Sequence, residues 1–291
     1  MRHTHKFAAA LLFTVLLLLC TGCGILSAQP VAAGQTNDTR LYLVSTGNGD
    51  PDNITLKAVD VISRSDIIFC HERTRAKFPE LLAGKAIYDP GFGIFAIHGK
   101  TPEEGRKSTR FDYDEKMAQL KEISNIIRGA VAEGKTVSVL CSGDPTIYGP
   151  NMWYMAEFAD LNPEIITGVS AFNSCNAALK RGVTSGKNTH SVILTATFGR
   201  EGIYEGTDSI ENLARIQATM AFFTMFMDMD AVVEKLRVHY PADTPVAIVQ
   251  HAGYKDREKV IYGTLETIKD KIKEDPPFEY MMYVGDFMSK R

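Results

Sequence analysis

Little in this sequence points to a metal site, a disulfide framework or a nucleic-acid partner. Cysteine is sparse, five in 291 residues, and only Cys20 and Cys23 stand in a C-x-x-C. No second pair or nearby histidine completes a ligand set, so zinc is not indicated. Cys70, Cys141 and Cys175 are scattered through apolar runs, as buried small hydrophobes are. His71, His98, His190, His239 and His251 are unclustered. A dominant charge is missing too. There are 32 Lys and Arg against 35 Asp and Glu, a net of −3, whereas dedicated nucleic-acid binders carry a clear positive excess. No repeat of solenoid or propeller length is visible. The glycine turn at residues 46–53 is not a G-x-G-x-x-G, which speaks against a nicotinamide dinucleotide.

What is present divides into a leader and a globular remainder long enough for two domains. Arg2 and Lys6 precede an apolar stretch, residues 7–19, of signal-peptide rather than membrane-spanning length. Cys20-Thr21-Gly22-Cys23 follows. Small residues before a cysteine resemble a bacterial lipobox with Cys23 as the acylated position, although Cys20 stands where leucine is usual. A lipoprotein signal over 1–23 and a tether over 24–40 are expected, which makes the chain exported, lipid-anchored and membrane-associated. An uncleaved anchor with a cytoplasmic-facing domain is the alternative.

The remainder is expected to form two α/β domains, 41–161 and 162–291, divided at Asn162-Pro163. The first opens as a βαβ unit. An apolar strand, 41–45, runs into the glycine turn, with Asp52 or Asn53 as helix cap. Leu56, Val59 and Ile62 then recur at helical spacing, and 67–70 is a second strand. Residues 88–112 read as a long irregular loop rich in glycine and cations, a kind of segment that is usually functional or disordered. Met117, Leu120, Ile123, Ile127 and Val131 mark an amphipathic helix stopped near Gly134. Residues 151–160 read as a helix with Trp153, the only tryptophan, facing inward. In the second domain, strands are expected at 164–166, 191–195, 219–226, 245–250, 259–264 and 280–284. Helices are expected after the 167–171 turn, behind an Asp208/Glu211 capping box, after Asp228 and over 265–273.

The organising stretch is VSVLCSGDPTIYG, residues 137–149. A buried apolar run breaks at Gly143-Asp144-Pro145, which places backbone groups and one carboxylate at the carboxyl end of a strand. In open α/β sheets small ligands bind at that edge. Gly143 permits close approach to the backbone, and Pro145 stops the strand.

Several motifs recur in a set order: the GNGDP turn after the first strand, ITLKA (54–58), SGDPTIYG (142–149), GVSAF (168–172), TMAFF (219–223), TPVAIV (244–249) and YGTLETI (262–268). Together they resemble the tetrapyrrole methylases over about 41–284, chiefly the precorrin-4 C11-methyltransferase type. Asn48 stands where that family usually has proline. The segment 41–74 is also similar to a ribosomal-RNA methyltransferase branch, but SGDPTIYG belongs to the porphyrinoid branch. The resemblance implies two α/β domains with an active-site cleft between them, a homodimer, S-adenosylmethionine as cofactor and a tetrapyrrole substrate, with no metal. By position it implies cofactor contacts at Asn48, Gly143, Asp144, Ile147, Ser170, Ala171, Thr224 or Met225, and Ala252. Methyl transfer from a sulfonium needs mainly alignment of donor and acceptor. Asp144 either steers the cofactor, assists deprotonation or caps its turn. A polycarboxylate ring favours guanidinium groups. Arg73, Arg106 and Arg200 are the substrate-binding candidates, with Arg75, Lys100 and Arg110 behind them; solvated surface charge is the alternative for each. An exported tetrapyrrole-binding protein without catalysis is the rival to the enzyme, because the cofactor is made in the cytoplasm.

Overall fold

The apolar runs pair into two sheets. The computed structural model describes residues 39–107, 110–196, 206–225, 227–277 and 279–289. The leader and most of the tether lie outside those residues. Thr39–Arg291 is one compact unit. The first sheet is wholly parallel, in the order β3-β2-β4-β1-β5. Its strands are β1 (Leu41–Ser45), β2 (Ile67–Phe69), β3 (Ala86–Tyr88), β4 (Val137–Cys141) and β5 (Glu164–Ile166). β1 and β4 are buried at every position, so they read as unbroken apolar runs rather than alternations. Their register runs from Leu41 opposite Val137 to Ser45 opposite Cys141. Both strands therefore end level, and all five carboxyl ends share one edge.

The helices of this half follow the caps available to them. α1 (Leu56–Ser63) is capped by Thr55, whose hydroxyl accepts from the Ala58 N–H. Asp52 and Asn53, the expected caps, are taken up in a 3-10 turn at Pro51–Asn53. α1 buries Ala58, Val61 and Ile62 and leaves Leu56 90 % exposed. α2 (Glu72–Lys77) follows β2. The described part of the 88–112 segment, 88–107 and 110–112, carries more regular structure than its composition suggests. It holds a 3-10 turn at Ile94–Ala96 and α3 (Pro102–Gly105), closed by a Thr101/Glu104 capping box. α4 (Tyr113–Ala132) buries Leu120, Ile123 and Ile127, and Gly134 ends it at φ +77°. α5 (Trp153–Glu157) is shorter than the expected helix, and Trp153 is buried against Tyr154 at 3.8 Å.

The expected boundary at Asn162 falls too early. Asn162 turns the chain in the left-handed conformation, φ +48°, and β5 then pairs with β1 as the last strand of the first sheet. The changeover comes at 168–170, because α6 (Ala171–Leu179) packs through Cys175 and Leu179 on the second sheet.

That second sheet is mixed, in the order β6-β7-β10-β8-β9. It comprises β6 (Val192–Ala196), β7 (Thr219–Phe223), β8 (Pro245–Gln250), β9 (Lys259–Thr264) and β10 (Tyr280–Val284). β6 and β7 are parallel, and β10 runs antiparallel between β7 and β8. Met220, Phe222, Val246, Ile248 and Met282 face α8 (Met229–Arg237) and α9 (Ile268–Ile272). Ala221, Phe223, Ala247, Val249 and Tyr283 face α6. This is the period-two alternation of a two-faced sheet. α7 (Ile210–Ala214) is capped by Ser209 rather than Asp208, the hydroxyl accepting from Asn212 N–H.

Candidate active site

Five parallel strands ending at one edge deliver their turns along it, and the turns after β1 and β4 touch. Gly47, φ +72°, follows β1, and Gly143, φ +70°, follows β4. The Gly143 N–H donates to Gly47 C=O at 2.9 Å. Ser45 Oγ donates to Gly143 C=O at 2.6 Å and accepts from Gly47 N–H at 3.2 Å. The two glycines differ in what surrounds them. A Cβ on Gly47 would come within 2.3 Å of Asn53 C=O, so packing demands glycine there. A Cβ on Gly143 would meet only the Ala171 nitrogen, at 3.8 Å. Open space stands over the Gly143 backbone, a cradle another molecule can enter.

Asp144 is only 7 % exposed. One carboxylate oxygen accepts from Thr146 N–H at 2.8 Å and from its hydroxyl at 2.6 Å. The other accepts from Gly168 N–H at 3.1 Å. The carboxylate thus ties the turn after β4 to the turn after β5. Three donors occupy it, so the turn-capping role is the one this geometry supports, and assistance in deprotonation loses its basis. Ser170 closes a capping box with Asn173 at the start of α6, and Ala171 follows it under Gly143. Ile147 is 46 % exposed beside these turns. Its neighbour Tyr148 stacks on Phe223 at 4.3 Å, seating the turn on the end of β7. Thr224 donates its hydroxyl to Tyr280 C=O, and it and Met225 are half-buried.

The first glycine turn is clasped to the second sheet. Asn48 Nδ2 donates to Ala252 C=O at 2.7 Å, and Asp50 N–H donates to Gly253 C=O at 2.8 Å. Two residues expected to contact the cofactor separately are therefore bonded to each other. Gly49 lies so close that a Cβ would fall 2.2 Å from Gly253 C=O. Lys255 adds an ion pair to Asp52 at 2.6 Å.

The cation candidates separate. Arg73, at the start of α2, pairs with Glu279 and reaches Tyr254 Oη at 3.4 Å, so it stands on this seam. Arg106 does not join it. It forms a two-pronged pair with Asp114 at 2.7 and 3.2 Å on the α3–α4 corner, because the chain supplies a carboxylate eight residues on. Arg75 pairs locally with Glu72 at 3.7 Å. Arg200 lies outside the described residues. Sequence reasoning missed Tyr254, Lys77 and Arg257. Arg257 lies 3.9 Å over the Tyr254 ring, and Lys77 lies 5.3 Å from it. A surface depression of about 410 Å³ lined by Glu72, Arg75, Leu82 and Lys85 shares no residue with these turns.

A parallel sheet with glycine turns at its carboxyl edge, clasped by the loops of a mixed second sheet, is the architecture of a two-sheet α/β ligand-binding enzyme. Solved structures share it. A cobalt precorrin-4 methyltransferase matches with a TM-score of 0.67 at 22 % identity, over 89 % of this chain and 100 % of that one. The uroporphyrin-III C-methyl transferase of Thermus thermophilus, complexed with S-adenosyl homocysteine, matches at 0.55 and 20 % identity, over 85 % and 98 %. The sequence profile of the tetrapyrrole (corrin/porphyrin) methylases matches residues 40–269. The cobalt-precorrin-4 C(11)-methyltransferase of Methanocaldococcus jannaschii is 32 % identical over 242 residues, 82 % of this chain and 84 % of that protein. The precorrin-4 C(11)-methyltransferase of Pseudomonas aeruginosa is 30 % identical over 234 residues, 80 % and 83 %. The chain belongs to the tetrapyrrole methylases.

Proposed function

We propose that this chain is an S-adenosylmethionine-dependent methyltransferase acting on a ring carbon of a tetrapyrrole, with C11 of a precorrin-4-type ring favoured by the relatives. The observation that carries the reading is the glycine pair. Gly47 is packed shut and holds Gly143 in place, while Gly143 leaves its backbone open. That cradle fits a small ligand bound by backbone groups. Asn48, Gly143, Asp144, Ile147, Ser170, Ala171, Thr224, Met225 and Ala252 are the residues proposed to form its walls. When bound, the cofactor supplies an electrophilic methyl group. The chain's own part is placement: Asp144 fixes the turn, Ile147 offers an apolar contact, and the Asn48–Ala252 bond sets the spacing of the two loops.

Arg73 is proposed to receive substrate carboxylates from its place beside the seam, with Arg200 a further candidate. A homodimer is the proposed assembly. The leader supports a lipid-anchored, exported location, which is likewise a proposal; among the described residues no helix is long and apolar enough to cross a membrane. The same leader favours a second reading, a tetrapyrrole binder without catalysis.

Calorimetric titration with S-adenosylhomocysteine separates the two. Micromolar binding that Gly143→Arg removes supports the methyltransferase. A folded chain that takes up none leaves the binder.

A further inference from the structure

A second group of residues stands on the same carboxyl edge and takes no part in the glycine turns. The turn after β3 is pinned. Asp89 Oδ1 accepts from Gly91 N–H at 2.7 Å and from Gln119 Nε2 at 3.0 Å, while Tyr154 Oη donates to Pro90 C=O at 3.0 Å. Gly93, φ +97°, lets the Phe111 ring lie where a Cβ would come within 2.5 Å of it. On this fixed turn Phe92 is 38 % exposed. Phe95, Phe111 and His71 support it edge-on at 5.7, 5.8 and 6.0 Å. A phenyl ring braced by three aromatic neighbours and still open to solvent is a preformed apolar surface.

His71 is also the N-cap of α2, and Arg73 lies two residues on. Here the chemistry changes from apolar to cationic. Arg73, Lys77 and Arg257 converge on the single ring of Tyr254. Glu279 is committed to Arg73 and Glu258 to the Gly253 N–H. Among the described residues, neither Lys77 nor Arg257 has a carboxylate partner. The field is felt by the phenol. Burial pushes the Tyr254 hydroxyl up, yet Lys77, Arg73 and Arg257 together draw it below its ordinary value of 10.0.

We infer that the α2 edge is the seat of the tetrapyrrole, its apolar ring face against Phe92 and its acidic side chains on Lys77 and Arg257. The inference rests on the substrate class proposed above. β2 neighbours β4 in the sheet and β3 lies one strand further. At about 4.8 Å per strand, their ends stand roughly 5–10 Å from the end of β4, which carries Gly143. Donor cradle and acceptor seat are thus neighbours on one edge, as transfer between two bound molecules requires. The unpaired cations select rings whose substituents are ionised carboxylates over rings with neutral ones.

The test is titration of uroporphyrin III, a flat octacarboxylate, into the full chain with and without S-adenosylhomocysteine, followed by absorbance. The expected result is at least tenfold weaker binding in Phe92→Ala and an intermediate loss in Phe92→Leu, which keeps apolar bulk. The double variant Lys77→Met/Arg257→Gln also loses at least tenfold, and coproporphyrin III, with four carboxylates, binds more weakly than uroporphyrin III. Affinity for S-adenosylhomocysteine stays within twofold in every variant. Equal uroporphyrin binding by wild type and Phe92→Ala overturns the seat and leaves the methyltransferase standing. So does a chain that takes up the nucleoside but no porphyrin. Phe92-dependent porphyrin binding without nucleoside binding keeps the seat and removes the methyltransferase.

Discussion

Among the described residues the two sheets have five strands each and opposite talents. The first is all parallel, so every strand ends at the same edge, and its turns carry Gly47, Gly143 and Asp144 to one place. The second is mixed, with β9 and β10 returning against β7 and β8. Of the ends it directs toward that place, the described ones carry Thr224 and Met225 after β7 and Ala252 and Gly253 after β8. Topology alone therefore makes the first sheet a floor and the second a clasp. The contrast extends to chemistry. The floor contributes glycine turns bonded to each other, whereas the clasp meets those turns mostly through backbone carbonyls and ion pairs.

Substitutions that attack one half at a time can break this contrast. The largest effect is expected at the clasp, where Gly49→Val places a side chain at φ +88° against Gly253. A loss of about 3–5 kcal/mol is expected from strain and backbone collision, read as a lower urea midpoint. On the floor, Gly143→Arg fills the cradle without a collision. S-adenosylhomocysteine should bind more than about 100-fold more weakly, roughly 2.7 kcal/mol, while the φ of +70° at Gly143 costs about 1–2 kcal/mol of stability, less than at Gly49. A stability loss as large as that of Gly49→Val would make floor and cradle inseparable.

Asp144→Asn sharpens the picture further. The amide presents an N–H to Gly168 N–H in place of an acceptor, a loss of about 1–3 kcal/mol in turn stability. Weaker cofactor binding with the saturated turnover rate largely kept is the expected pattern. A collapse of turnover with unchanged cofactor affinity would instead make the carboxylate a proton acceptor.

The smallest effect belongs to His251, which sits at φ +48° beside the clasp. Burial, then Arg257 and Arg73, hold its imidazole below the ordinary 6.5. Glu279 lies 3.4 Å away and would act in the opposite sense, but Arg73 already holds that carboxylate. The folded chain thus resists protonation that the unfolded chain accepts. Stability from this group is intact above 6.5 and is lost as pH falls through 6.5 toward the folded value. A modest fall in Tm between about pH 7 and pH 5.5, smaller in His251→Asn, is the expected result.

Much of the floor was legible because its signals are local. β1 and β4 are unbroken apolar runs, and Gly143-Asp144-Pro145 announces its own turn. The second sheet's strands were legible for the same reason, within a few residues at β7. The boundary was misplaced because Asn-Pro signals a turn but not the partner of the strand that follows. Glu164–Ile166 is three residues long, and only tertiary pairing assigns it to β1. The pairing of Arg106 with Asp114 was readable, since both lie in one short segment. The convergence of Lys77 with Arg257 on Tyr254 was not, because it depends on the end of α2 meeting a loop far along the chain. Sequence alone leaves Asp144 free to steer, to accept a proton or to cap, and only the fold brings Thr146 and Gly168 onto its carboxylate.

The bond from Asn48 to Ala252 joins positions 204 apart in sequence. Closing so long a loop carries an entropic cost that only late, cooperative contacts repay. The first sheet has its complete set of strands by Ile166, but its clasp waits for the last third of the chain. A binding site that needs this clasp is therefore complete only once both ends of that loop have met. A molecule bound across that seam would favour the finished state over every partly folded one by mass action. For this chain, cofactor supply and yield of folded protein would then be linked.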